Sequence, residues 1–354
     1  MATFDLLADL PLEIERYELE ALEGDTGMDQ PRLTTLIHLT GGGHEGIGED
    51  VTYDGLDHVA QQDLGPVLPL AGSWTLASFC EHVGGLDLFP AGPAIMDVSP
   101  IYRRWAFESA ALDLALRQAG RSLVEQLGRE PRPVNFVVSM RLGEPPTLDR
   151  LERIAATRPE IKFKLDPTNS WDEALISRLV DTDRIDSLDL KGHYRGTPVD
   201  VDTDPELYRT LAEAFPDAWL EDPDLTLAEA DEALRPYRNR ITWDAPIHSV
   251  ADVDALPFAP EMVNVKPSRV GSLEALFHFY DVLDERGVGA YGGGQSELGV
   301  GRGQIQYLAS IFHPDTPNDV APSGFNTPVV ADSEPDTPLA PAIAPTGFRW
   351  GEDS

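Results

Sequence analysis

The sequence predicts an α/β protein: a modified (β/α)8 barrel preceded by an α+β capping unit. Two observations carry that prediction. From residue 133 onward, short apolar runs alternate with helical-period segments, the pattern of strand-helix repeats. Ionisable residues also end successive runs, at Lys164, Asp189, Glu221, Asp244 and Lys266, with gaps of 25, 32, 23 and 22 residues. Those gaps approach the roughly 30 residues that one strand and one helix occupy in such a barrel, where strand ends converge on one mouth.

The elements follow in chain order. Residues 12–21 alternate apolar with charged and read as a half-exposed strand. A second strand over 33–39 runs into Gly41-Gly42-Gly43, and a third lies in Gly46-Ile-Gly-Glu-Asp-Val-Thr-Tyr53, completing a meander. From Ser99 the period becomes helical, with Arg103, Glu108, Asp113 and Arg117 spread among apolar positions. Seven barrel strands are legible, in 134–140, 161–165, 185–190, 218–220, 241–243, 262–265 and 288–291; the closing one is indistinct, with Asn318-Asp-Val-Ala-Pro its candidate. The expected units are a cap over 1–125, a barrel over 126–326, and a Pro- and acid-rich tail over 327–354 that drapes on the surface or stays disordered.

Composition excludes several roles. With 27 Lys and Arg against 61 Asp and Glu, the net charge of -34 repels nucleic acid and anionic membranes. Cys80 is the only cysteine, so neither an internal disulfide nor a cysteine-built metal cluster is available. The N-terminus lacks the basic and apolar segments of a secretory signal, and the uncharged stretch 64–80 is broken by Pro66 and Pro69. A cytoplasmic protein acting on a small-molecule carboxylate is the expectation, and a homo-oligomer is compatible with it.

Residues two apart in a strand share a face, so Lys162, Lys164 and Asp166 are expected to point alike, inward. Crowded, desolvated lysines have lowered pKa values, which would make Lys164 a base near neutrality. Against this stands the ordinary exposure of lysine. Asp189, Glu221 and Asp244 each follow an apolar run; one such acid is usually a turn or cap residue, whereas three in register suit a hard ion such as Mg²⁺. Lys266 ends the next strand, across the mouth from Lys164, so the two amines could work on opposite faces of one substrate. Arg141 could hold a second substrate carboxylate. Taking Asp166 as the first ligand instead stretches the gap to Glu221 to 55 residues and loses both second-strand bases. Gly299 to Gly303 precede a helix and could present backbone N–H groups to a substrate carboxylate, while His193 and His248 read as loop histidines.

The set Lys162-x-Lys164, Asp189, Glu221, Asp244, Lys266 resembles the enolase superfamily, in the branch of muconate-lactonising enzymes, o-succinylbenzoate synthases and N-acylamino acid racemases. Gly46-Ile-Gly-Glu49, the helix around Phe107-Glu-Ser-Ala-Ala-Leu-Asp, and Gly293-Gly-Gln-Ser-Glu297-Leu-Gly add to the likeness, which spans roughly 12–326. The resemblance implies metal binding (Mg²⁺ or Mn²⁺) by Asp189, Glu221 and Asp244. It also implies an acid/base pair of Lys164 and Lys266, support of Lys164 by Lys162, a pocket-lining Glu297, and an enediolate mechanism. Dehydration is the leading expected outcome, racemisation or cycloisomerisation the next, and a non-catalytic acid- or partner-binding barrel the alternative from another class. Three departures bear on substrate identity: Leu-Asp-Pro follows Lys164 where the family usually has a glycine soon after, Ala-Pro follows Asp244, and Lys191 stands where the family commonly has asparagine, so that it could pair with a ligand carboxylate or contact substrate. The Glu23–Pro31 and Gly46–Tyr53 segments of the cap are the expected pocket loops.

Overall fold

The computed structural model describes residues 2–25, 30–197 and 199–351. The pocket loop expected at 23–31 therefore lies partly outside the described residues. The cap begins with a two-stranded antiparallel pair, β1 (Pro11–Ile14) with β5 (Gly72–Thr75). Beside it β2 (Arg16–Gly24), β3 (Arg32–Gly41) and β4 (His44–Asp50) form the expected antiparallel meander. Gly42 and Gly43, at φ +57° and +78°, turn the β3–β4 hairpin through the left-handed region that such tight turns require.

The helix Ser99–Gln118 lies across β4 so closely that a Cβ on Gly48 would come 2.8 Å from the backbone nitrogen of Ala110. It is buried nearly all round, polar positions included. Each of those finds a partner: Arg103 with Asp50 at 2.7 Å, Glu108 with Arg104 at 2.5 Å, Asp113 with Arg349 at 2.6 Å.

The barrel strands are β6 (Val137–Met140), β7 (Lys162–Leu165), β8 (Ile185–Asp189), β9 (Trp219–Glu221), β10 (Ile241–Thr242), β11 (Met262–Val265) and β12 (Gly289–Gly292). Strands β6 to β10 pair in parallel in chain order, and β11 pairs with β12. Trp243 bridges to Val263, joining the two groups. Closure comes from residues 318–319: Asn318 bridges Phe136 on one side and Asp319 bridges Gly293 on the other. The eighth strand is thus the segment suspected from sequence, reduced to two bridges, too short to register as a run. Asn318 secures it, its Oδ1 accepting from the Gly292 N–H and its Nδ2 donating to the Asn135 carbonyl.

The tail lies exposed or half-buried over residues 327–343, as a draped segment would, and then returns to the core. Leu339 bridges Val134 and Gly347 bridges Ser122. Phe348 is fully buried between Trp105 of the cap and Tyr307 of the barrel helix Val300–Phe312. Burial of one phenylalanine is worth about 2–3 kcal/mol, enough to hold a polar segment down. Within the described residues no helix is long and apolar enough to cross a membrane.

Candidate active site at the barrel mouth

Five residues end consecutive parallel strands, Lys164 on β7, Asp189 on β8, Glu221 on β9, Asp244 just past β10 and Lys266 just past β11, so the fold brings all five to one rim. All are buried. Because β7 and β11 are the second and sixth staves of an eight-membered ring, their lysines stand across the mouth from each other, with the acids on the arc between.

Lys164 Nζ donates to Glu221 and lies 3.5 Å from Asp189 and 3.4 Å from Asp319. Glu221 also accepts from the Tyr291 hydroxyl at 2.6 Å. Asp244 is clamped by Lys266 Nζ at 2.7 Å and Arg269 Nη1 at 2.5 Å, with the Tyr194 hydroxyl at 3.4 Å. Asp222 sits behind the rim at φ +49°, its two oxygens accepting from the N–H groups of Asp244 and Ala245 at 2.8 Å each.

The electrostatics follow from this crowding. Burial and the neighbouring Asp189, Asp244 and Asp222 push Glu221 well above the usual carboxylate range, although Lys164 opposes them. Burial, Asp244 and Asp189 raise Asp222 to about 7. Burial opposes ionisation of Asp244, but Arg269, Lys266 and Lys164 together hold it well below the ordinary value. For Lys164 the expected lowering is reversed: burial does favour the neutral amine, yet Glu221, Asp319 and Asp189 outweigh it and raise the pKa well above that of a free lysine. The near charges are carboxylates and not a second lysine.

That second lysine is elsewhere. Lys162, the first residue of β7, stands at the opposite, N-terminal end of the barrel, half exposed, with Nζ 3.6 Å from Asp186 in a cleft that also includes Asn135 and Asp217. Two residues of strand cover about 6.6 Å, which carries it from the mouth and out of contact with Lys164. Glu297, expected at the pocket wall, is buried within its own loop, accepting from the Gln295 N–H at 2.6 Å and pairing with Arg302 at 3.0 Å. The helix N-terminus expected to face a substrate is occupied from inside, because the Glu49 carboxylate accepts from the N–H groups of Leu298, Gly299 and Gly301 at 2.7–3.1 Å. Arg141 is partly exposed, its Nε 3.1 Å from Asp166. Lys191 Nζ lies 2.5 Å from Asp189 and 3.4 Å from Asp166. His193 is exposed, and His248 bonds within its own loop.

Five participants were missed in the sequence, Tyr194 on the loop after β8 among them. Asp222 and Arg269 sit one and three residues beyond named positions, and Tyr291 and Asp319 are on strands seven and eight. Alternation marks Tyr291 as a strand-end residue, but Asp319 is visible only once the ring closes.

The donor set suits a hard divalent ion. Carboxylate oxygens of Asp189, Glu221 and Asp222 all lie within 4.8 Å of one another, the compact acidic trio among the described residues. Oxygen-only donors of this kind match Mg²⁺ or Mn²⁺. Asp222 completes that trio, and the Asp244 carboxylate beside it is turned toward Lys266 and Arg269.

Two family models match, the C-terminal domain of a domain of unknown function (DUF8230) over residues 130–327 and its N-terminal domain over 5–126. Among curated proteins, an N-succinylamino acid racemase of an Amycolatopsis species is 28% identical over 330 residues, covering 84% of this chain and 81% of that protein. An o-succinylbenzoate synthase of Geobacillus kaustophilus is 30% identical over 235 residues, 62% of this chain and 58% of the synthase. Among solved structures, a dipeptide epimerase of Methylococcus capsulatus complexed with Mg aligns with a TM-score of 0.68 at 19% identity, covering 97% of this chain and 100% of that one. A muconate cycloisomerase of Pseudomonas fluorescens aligns at 0.64 and 17%, covering 97% and 94%. These structural likenesses establish the capped TIM-barrel fold. The chain belongs to the DUF8230 family.

Proposed function

We propose that this protein abstracts the proton α to the carboxylate of a small acid and forms an enediolate, using Lys164 and Lys266 as opposed acid/base groups. The observation that carries the reading is their placement on the second and sixth strands with the acids arrayed between them. A Mg²⁺ or Mn²⁺ ion held by Asp189 and Glu221, with Asp222 or Asp244 as the third acid, would neutralise the charge that develops on the substrate carboxylate. Lys164 and Lys266 are each aimed by the carboxylates beside them, so one can take the α-proton while the other faces the opposite side of the carbon. Arg269 holds Asp244 in place beneath Lys266. Arg141 and Lys191 supply the positive rim that would receive a second anionic group of the substrate.

Dehydration, which the resemblance in the sequence implies first, is the leading outcome. A second reading, racemisation, is favoured by one observation: the racemase matches over 81% of its length, the synthase over 58%. Incubation of N-succinylamino acids and cyclic hydroxy acids with the protein and Mg²⁺ in D₂O separates them. Deuterium at the α-carbon with loss of optical activity indicates racemisation, and net loss of water indicates dehydration. Lys266→Ala should abolish either. Absence of exchange across a broad acid library would leave only a binding protein and defeat the proposal. Cytoplasmic location is part of the same reading, supported by the small-acid chemistry and the absence of disulfides.

A further inference from the structure

Lys191 departs from the asparagine expected by resemblance, and its surroundings give that departure a consequence. Its main chain is pinned over the metal-binding arc: Leu190 donates to the Glu221 carbonyl and Gly192 to that of Asp222, both at 2.8 Å, and Lys191 itself is held at φ +54°. Both oxygens of Asp189 are engaged by this one residue, Oδ1 by its backbone N–H at 3.2 Å and Oδ2 by its ammonium at 2.5 Å. An ammonium and a divalent cation cannot share that oxygen without strong repulsion in a buried site.

A second seat stands close by. Asp166 Oδ2 is 3.4 Å from the same ammonium, and Asp166 Oδ1 is buried with no hydrogen-bond partner. Arg141 Nε fixes this carboxylate from the outer side at 3.1 Å. With the loop backbone tied down, the side chain alone can shift, by about the difference between those two separations. The Tyr194 ring, 5.0 Å from the ammonium, flanks the path.

We propose that Lys191 is a tethered cation that competes with the divalent ion for Asp189 and yields by moving its ammonium to Asp166, so that the Lys191–Asp166 pair sets metal affinity. The inference rests on the metal reading above and adds a positioning role that acts through Asp189. Its test is calorimetric titration of the metal-stripped full chain with Mn²⁺. Lys191→Met should bind about 10- to 100-fold more tightly than the wild type, the span typical of partners behind a ligand. Asp166→Asn, which removes the second seat, should bind several-fold more weakly. The double variant should match Lys191→Met, since Asp166 acts only through the lysine. Equal or weaker binding by a folded Lys191→Met protein, or unchanged binding by Asp166→Asn, overturns the inference while leaving the metal site standing. Failure of every protein, wild type included, to bind Mn²⁺ overturns the metal site and this inference together.

Discussion

The cap and the barrel mouth both bury charge, and they do it in opposite ways. In the cap Asp50 is paired with Arg103, Glu49 is satisfied by backbone N–H groups, and Arg32 donates to backbone carbonyls. At the mouth Asp189, Glu221 and Asp222 crowd within 4.8 Å; repulsion adds to desolvation at Glu221 and Asp222, whereas Lys191 and Lys164 hold Asp189 below the ordinary carboxylate range against its burial. One-to-one pairing rigidifies a scaffold. Unbalanced acids raise the energy of the folded chain and persist where function uses them. The difference separates structural from chemical charge without reference to any relative.

That contrast can be tested by the sign of each response. The largest effect belongs to the mouth: Lys266→Ala should lower α-proton exchange by about 10²–10⁴-fold, the usual worth of a general acid or base, with little change in the melting curve. A coupled fall in stability would put Lys266 with the structural charges. Next comes the cap, where Arg103→Met strands the fully buried Asp50. Urea denaturation should show a loss of about 3–5 kcal/mol, and a loss below about 1 kcal/mol would contradict the one-to-one picture.

A third measurement probes the barrel seam by pH. His313 is buried with its Nδ1 toward Asn318 and its Nε2 near the Tyr280 hydroxyl, and burial lowers its pKa to about 4. The unfolded chain, with histidine near 6.5, takes up the proton first as pH falls. Stability from this group is therefore complete above about pH 6.5 and lost between there and about pH 4, some 3 kcal/mol in all. The difference in unfolding free energy between wild type and His313→Gln should narrow over that window; a constant difference would remove His313 from the account. The smallest effect has the opposite sign. Glu221→Gln relieves repulsion and should stabilise the metal-free protein by about 1 kcal/mol, in the manner of stability gained at a strained functional site. It should also erase the rise in melting temperature on adding Mg²⁺. Destabilisation would mean that Lys164 and Tyr291 balance Glu221 fully.

Alternation and strand-helix spacing made the meander, seven staves and the five mouth residues readable, because a residue at the C-terminal end of a barrel strand faces the mouth wherever the rest of the chain goes. The same local rule gave Lys162 its shared face with Lys164 but not its level in the barrel, so its pairing with Asp186 at the far end went unseen. Partner choice was decided only by the tertiary structure. Closure through Asn318 and Asp319 brought a carboxylate to Lys164, the cap delivered Glu49 to a helix N-terminus, and the returning tail seated Phe348 in the core. Each of these contacts joins segments far apart along the chain, and the covalent backbone constrains direction over a few residues but leaves distant neighbours to packing.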